Sequence, residues 1–308
     1  AGLMGAYGAA LYAANHPGHG VLSREELERF EHKVNRTVCQ GCQNHCMLTV
    51  SVFPGGRRHV SGNRCEKALR GESAAKPGEN IFSYKRERMF AYPPLEPENA
   101  PRGEIGIPRV LNMYENYPFW ATFFRDLGFR VILSPFSTRA IYELGMESIP
   151  SESECYPAKL AHGHAQWLID HGVKTIFHPC VFYEHQETPG AQNHYNCPIV
   201  VSYPENLKNN VEAVADGEVR YIRPFLAFTS EKIAADRLAA LCKEEWGIDA
   251  KEVRAAVHKA WEEQQRAKSD VRAEGQKALQ WMAENHARGI VLADPITLTP
   301  KSTTVSRK

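Results

Sequence analysis

The sequence predicts an α/β protein in which a small cysteine-rich metal-binding hairpin module precedes a doubly wound parallel-sheet domain with a helical cap. Three observations predict this fold class. Short apolar runs alternate with helical patterns between residues 105 and 201, as βαβ units require. Cysteines crowd into residues 39–65 around two short strand patterns, and a long pattern of helical period follows residue 205.

The composition excludes several classes of protein. The chain has 308 residues, 43% of them apolar and 24% charged, which is enough to bury at least one sizeable core. Its formal net charge of +1 offers no electrostatic footprint for nucleic acid or for an anionic membrane. No apolar run approaches the roughly 20 residues that span a bilayer, and no signal peptide is recognisable. We therefore expect a cytoplasmic protein that binds a small ligand or a protein partner.

The strongest chemical signal is a set of four cysteines, the first cysteine group: Cys39, Cys42, Cys46 and Cys65. A strand at 47–53, a Pro-Gly-Gly turn and a second strand at 58–60 should bring the last cysteine back beside the other three. Four thiolates suit either structural zinc or a [4Fe–4S] cluster, and the spacing does not decide between them. His45 is predicted to face solvent rather than to replace a ligand.

The segments around this group complete a module at residues 21–80. A capping box formed by Ser23 and Glu26 predicts a short helix that ends near Lys33. The proline-rich and charged stretch at 81–102 is predicted to be a linker.

The α/β domain is predicted at residues 103–205. Its strands are expected at 105–113, 129–133, 173–177 and 198–201, and its helices at 119–127, 138–144 and 157–170. Pro118 is expected at the first position of the first helix, where a missing N–H costs nothing. Parallel strands that alternate with helices place ligands in the loops at the carboxyl ends of the strands.

Those loops contain the second cysteine group, which consists of Cys155, Cys180 and Cys197. Cys155 precedes a helix N-terminus, which lowers a thiol pKa and favours an anionic cluster. Cys180 follows a strand, whereas Cys197 is expected to precede one and is the least secure of the three. Three cysteines would leave one iron of a cluster open, and unrelated buried thiols are the alternative interpretation.

Other candidate residues receive structural interpretations. His162 and His164 flank a glycine inside a predicted helix, so their side chains should diverge by roughly 200° and cannot easily share one metal ion. Lys159 is expected to face either a cluster or a phosphate of coenzyme A, or to be solvated. Cys242 is predicted to be a buried core thiol within the helical cap at 206–288.

Long motifs carry a resemblance to a known family. Residues 107–120, 151–159, 162–164 and 196–200, together with the first cysteine group, resemble the activase-related segments of large, multi-domain 2-hydroxyacyl-CoA dehydratase activases. The small residues of 1–20 are similar to the last helix of the ATPase domain that precedes those segments. The α/β domain also resembles the dehydratase subunit fold, in which loop cysteines hold a [4Fe–4S] cluster.

The resemblance implies a function for the chain. It would be a fragment, inactive alone, of an iron–sulfur protein that supports ATP-driven electron transfer to acyl-CoA dehydratase or reductase chemistry in an anaerobe. Its partners would be other domains or subunits of that system, with acyl-CoA as a candidate ligand and ATP bound only by the preceding domain. The competing interpretation is a zinc-stabilised, non-catalytic docking module of the same protein.

The C-terminal segment departs from the family. Residues 289–293 are similar to the first strand of a second α/β domain, but 294–306 match nothing in the family's continuation. With a suitable choice of codons, a one-base shift of the reading frame yields a peptide that resembles that continuation. We therefore expect residues 289–308 to be a truncated, frame-shifted tail, of which the last fifteen residues are disordered.

Overall fold

The computed structural model describes residues 4–15, 23, 25, 28–40, 44–63, 81–186, 190 and 193–286. The chain divides into two compact units, Ala1–Glu72 and Ser73–Lys308. Among the described residues, no helix combines the length and the apolar character needed to cross a membrane.

The first unit contains a helix and a small antiparallel sheet. Its elements are α1 (Met4–Asn15), β1 (Lys33–Val38), β2 (Met47–Val52) and β3 (Arg58–Ser61), with the strands in the order β1-β2-β3. The two strands predicted from the sequence and the turn between them, Pro54–Gly56, are confirmed. The helix expected to end near Lys33 lies partly outside the described residues, and Lys33 itself begins β1. All six residues of β1 are exposed. A strand with no buried face need not alternate apolar and polar residues, and the sequence therefore did not predict it.

The second unit is built on a four-stranded parallel sheet. Its strands are β4 (Glu104–Ile107), β5 (Arg130–Leu133), β6 (Thr175–Phe177), β7 (Cys180–Tyr183), β8 (Arg220–Ile222) and β9 (Phe225–Ala227). The order of the main sheet is β5-β4-β6-β8, and β7 pairs in parallel with β9 beside it. The chain thus moves from β4 to one side and then returns to the other, which confirms the predicted doubly wound arrangement.

Helices cover both faces of this sheet. They are α2 (Ile81–Met89), α3 (Met113–Asp126), α4 (Arg139–Leu144), α5 (Tyr156–Asp170), α6 (Pro198–Asn210), α7 (Glu212–Ala215), α8 (Glu231–Trp246) and α9 (Ala250–Glu284). Successive strand residues point to opposite faces. Ile176 accordingly packs in a core with α5 and α6, whereas Phe177 packs in a second core with α3, α8 and α9.

The start of α3 differs from the prediction. The helix begins at Met113, and Pro118 lies inside it rather than at its first position. A proline within a helix removes one hydrogen bond and disturbs its neighbours. Here the buried side chain of Gln264 on α9 repairs the break, because its Nε2 donates to the Glu115 carbonyl at 2.6 Å and its Oε1 accepts from the Phe119 N–H at 3.1 Å.

The strand predicted at 198–201 was also wrong, because this segment opens α6. Pro198 occupies the first turn of the helix, where its fixed φ is favourable. Val200, Tyr203 and Leu207 are buried at the spacing of one helical face. The short apolar run therefore belongs to a helix. Over only four residues, periodicity cannot distinguish a strand from a helix.

Two further segments differ from the sequence-based description. The stretch expected to be mostly helical after residue 205 contains β8, which joins the main sheet, and β9. The long helix predicted there is confirmed as α9. The stretch predicted as a linker contains α2, where Arg88 pairs with Glu263 at 2.9 Å and with Asp270 at 2.7 Å on α9.

Candidate functional site

The carboxyl ends of β4, β5, β6 and β8 lie at one edge of the parallel sheet. We call this the carboxyl edge and define it by the loops that follow the strands, residues 108–112, 134–138, 178–179 and 223–224. The strand order reverses between β4 and β6, and crevices at such a switch point are the usual ligand sites of open α/β sheets. The second cysteine group and several buried polar side chains are found around this edge.

Cys155 and Cys197 occupy equivalent positions. Cys155 is the N-cap of α5 and is exposed, and Cys197 is the N-cap of α6 and is half-buried. Each is followed within two residues by a proline in the first turn. Both side chains lie where the partial positive charge of a helix N-terminus favours a nearby anionic group. Cys197 was the least secure member of the group because a strand was predicted to follow it. Residues 198–201 begin a helix instead, so that reason no longer holds.

The loop before Cys197 is tied to the strand that begins at Cys180. Tyr195 forms an antiparallel bridge with Tyr183 of β7, and the Asn196 N–H donates to the Phe182 carbonyl at 3.1 Å. These contacts hold the segment that leads to Cys197 alongside β7, whose first residue is Cys180.

A half-buried carboxylate reinforces this loop. Glu184 accepts from Nδ2 of Asn196 at 2.8 Å and from Nδ2 of Asn116 on α3 at 3.1 Å. Burial raises the pKa of Glu184, and the two amide hydrogen bonds oppose that shift. Glu184 could not be predicted from the sequence, because a single glutamate carries no pattern.

Cys180 occupies a different environment from the other two cysteines. It is fully buried, and its Sγ lies 3.9 Å from the carbonyl oxygen of Arg223. Burial, with a smaller contribution from Glu205, raises the pKa of Cys180 to about 12. A metal can displace the proton of a thiol that it binds, but it must first reach the sulfur, and in this arrangement Cys180 is covered.

The second cysteine group therefore fits a metal only in part. No group of three or more His, Cys, Asp or Glu side chains among the described residues is arranged to hold a metal ion. A cluster held by all three cysteines stays a prediction, and it would require Cys180 to leave its buried position.

Three histidines are buried near the same edge. His164 bridges two serines, with Nδ1 at 2.8 Å from Oγ of Ser134 and Nε2 at 2.9 Å from Oγ of Ser137. His162 contacts Oγ of Ser148 through Nδ1 at 2.8 Å. The two rings thus have separate hydrogen-bond partners within the domain.

The third histidine, His178, has its Nδ1 at 2.9 Å from the Tyr221 hydroxyl. Burial lowers the pKa of His164 and of His178 to about 3 and that of His162 to about 4. All three rings are therefore neutral at physiological pH.

The Lys159 side chain makes a local hydrogen bond. Its Nζ donates to the Glu152 carbonyl at 2.6 Å and closes the loop before α5.

The first cysteine group lies at one end of the antiparallel sheet. The register pairs Val38 of β1 with Met47 of β2, and the Cys39 N–H donates to the Cys46 carbonyl at 2.9 Å. Cys39 and Cys46 thus extend the ladder as directly opposed residues, whose Cβ atoms typically lie about 4.5–5.5 Å apart. Two thiolates at that separation can bind one metal centre.

The remaining two cysteines, Cys42 and Cys65, lie outside the described residues. β3 runs antiparallel to β2, so after Ser61 the chain heads toward the end of β2 at which Cys46 lies. It passes very close to that strand, because a Cβ atom on Gly62 would stand 2.3 Å from the Met47 carbonyl oxygen. His45 is exposed, as predicted, and has a positive φ of 41°.

A family model described as the CoA enzyme activase uncharacterised domain (DUF2229) matches residues 104–294, which is more than half of the chain. The matched range contains the parallel sheet and the second cysteine group but not the first. Neither the curated proteins nor the solved structures include a significant match to the chain.

Proposed function

The chain belongs to the family of the CoA enzyme activase uncharacterised domain, and on this premise we propose that it is part of an iron–sulfur protein that passes electrons to acyl-CoA dehydratase or reductase chemistry. Family membership supports an activase-related role beside a CoA-dependent enzyme. The electron-transfer role is an extension of it. The observation that carries this extension is the direct opposition of Cys39 and Cys46 across β1 and β2.

We assign the first cysteine group as the resident cofactor site. Cys39, Cys42, Cys46 and Cys65 would hold a [4Fe–4S] cluster, which supplies one-electron transfer when bound. The sheet contributes a rigid pair of ligands, and a fixed pair reduces the reorganisation that accompanies a change of charge. This role follows the 2-hydroxyacyl-CoA dehydratase activases that the sequence resembles, in which ATP is bound by a separate domain.

We assign the second cysteine group a conditional role. Cys155 and Cys197 lie at helix N-termini, whereas Cys180 is buried. A second cluster would form only when a facing domain or partner subunit uncovers Cys180 and supplies the missing ligand.

Metal analysis after anaerobic purification tests the proposal. We expect iron and acid-labile sulfide in equal amounts, with a broad visible absorption that bleaches on reduction. Cys46→Ser should abolish most of the bound iron, because it removes one of four ligands and one side of the opposed pair. Stoichiometric zinc in a colourless protein would contradict electron transfer and favour the docking module.

Cys155→Ser provides the matched control. Cys155 is exposed and belongs to the second group, so its replacement should leave the iron content and the spectrum unchanged. If Cys155→Ser and Cys46→Ser lost iron equally, the assignment of the cluster to the first group would fail.

A further inference from the structure

Two arginines at the carboxyl edge have no counter-ion among the described residues. Arg109 lies two residues after the end of β4, an inner strand of the main sheet, and Arg86 lies on α2. Their guanidinium carbons lie 3.8 Å and 5.1 Å from the centroid of the Phe136 ring. Within the part of the chain that the structure describes, neither side chain forms an ion pair with a carboxylate.

Arg109 is held firmly in this position. Its backbone N–H donates to Oγ of Ser134 at 2.8 Å, and its Nε donates to the Ser134 carbonyl at 2.9 Å. The Phe90 ring, 4.6 Å from the guanidinium carbon, and the Phe136 ring both contact the group. Ser134 is in turn held by His164 at 2.8 Å. The Nη groups of Arg109 have no hydrogen-bond partner among the described residues.

Half-buried charges without partners are costly, so proteins rarely retain them without a function. Burial lowers the pKa of Arg109, and the neighbouring Arg86 lowers it further. Arg86 adds a second unsatisfied group, since its Nε is buried and makes no hydrogen bond with the described residues. An anion placed between the two guanidinium groups would relieve both penalties.

The loop that carries Arg109 shows two further irregularities. Leu111 has a φ of 52°, a left-handed conformation that is strained for a leucine. Asn112 is only 3% exposed, yet its Nδ2 has no partner among the described residues. Strain and unsatisfied donors at the carboxyl end of a central strand are typical of ligand-binding loops.

We propose that Arg86 and Arg109 form a binding site for a phosphate ester at the carboxyl edge. Each guanidinium presents a planar fork that matches two oxygens, and two forks suit a phosphate better than a carboxylate, which one fork satisfies. Phe136 remains 36% exposed, so the site is open to solvent. This site contains no cysteine, and it can therefore exist whether or not the proposed clusters do.

Coenzyme A and nucleotides both carry this chemistry, and a titration distinguishes them. Calorimetry on the full chain should detect binding of coenzyme A, ATP or inorganic phosphate, and the tightest of the three identifies the source. Arg109→Gln should weaken that binding by ~10-fold to 100-fold, as expected for the loss of charge-assisted hydrogen bonds. Equal binding of acetate would contradict the choice of a phosphate.

Two additional variants keep the test decisive. Arg86→Gln removes the second cation, whose side chain makes no hydrogen bond with the described residues, and should weaken binding even if Arg109→Gln does not fold. Arg139→Gln is the control, because Arg139 is exposed and pairs with Glu143 on the same helix at 2.7 Å. The proposal is wrong if none of the three phosphates binds, or if Arg86→Gln and Arg139→Gln bind them as the original chain does.

Discussion

Burial decides the charge of the histidine side chains at the carboxyl edge. His162, His164 and His178 are no more than 1% exposed, and each ring nitrogen that bonds does so to a neutral hydroxyl. Without a carboxylate partner, burial disfavours the charged ring. Cys242, predicted to be a core thiol, shows the same effect, since burial raises its pKa to about 12. These groups support the structure in their neutral forms.

The buried histidines make the folded state sensitive to acid. Their folded pKa values of about 3 to 4 lie below the unfolded value of 6.5, so the unfolded chain binds more protons as the pH falls through that interval. Their contribution is fully present above pH 6.5 and is lost below it. We expect each histidine to reduce the free energy of unfolding by about 2 kcal/mol between pH 7 and pH 5.

Chemical unfolding of His178→Asn at both pH values checks this expectation. The variant should be less stable than the original chain at pH 7 but should lose about 2 kcal/mol less between pH 7 and pH 5. His258→Asn is the control, because His258 is exposed and its pKa is raised by Glu231. Identical pH dependence in His178→Asn and the original chain would refute the assignment.

At the scale of elements, two close backbone contacts explain why glycine occurs where α4 meets α5. Gly163 separates the two histidines of α5, and a Cβ atom there would lie 1.7 Å from the Ile141 carbonyl oxygen of α4. A Cβ atom added to Gly145, at the end of α4, would lie 2.2 Å from the Gly163 nitrogen of α5. The two helices therefore touch through their backbones, as only glycine permits.

Substitution at this contact should be costly. Gly163→Ala forces α4 and α5 apart, and we expect it to lower the free energy of unfolding by about 1–3 kcal/mol or more, as measured by chemical denaturation. Gly275→Ala in α9 is the matched control, since nothing lies within 4 Å of its added Cβ. That change should stabilise the helix by about 0.5–1 kcal/mol. Equal effects of the two substitutions would mean that the helices do not meet at Gly163.

At the scale of the whole molecule, the two proposed functions belong to different units. The opposed cysteines Cys39 and Cys46 lie in residues 1–72, whereas the arginine pair and the buried histidines lie in residues 73–308. The partners that hold Arg109, namely Ser134, Phe90 and Phe136, also lie in the second unit.

A chain that begins at Ser73 should separate these functions. We expect it to unfold cooperatively and to bind the phosphate ester with the affinity of the full chain, while losing the iron of the first cysteine group. Calorimetry and metal analysis on the same preparation measure both properties. Loss of phosphate binding together with the iron would show that the site depends on the first unit.

The sequence was sufficient to predict elements with strong local patterns. Apolar runs identified β4, β5 and β6, helical periodicity identified α5 and α9, and spacing identified the cysteine groups. Features that depend on contacts between residues far apart in the chain were missed or misassigned. Pro118 lies inside α3, where Gln264, far along the chain, bonds the neighbouring Glu115 carbonyl and Phe119 N–H. The frame shift and the tail at 289–308 lie outside the described residues and stay predictions.

By itself, the sequence determined the alternation of strands and helices and the positions of its seven grouped cysteines, because periodicity and spacing are local properties of the chain. Only the tertiary structure decided that β8 completes the sheet, that Cys197 caps a helix and that Cys180 is buried. It also brought Arg86 and Arg109 together on one aromatic ring. Pairing, burial and charge compensation depend on residues that are far apart in the chain, and only folding brings them into contact.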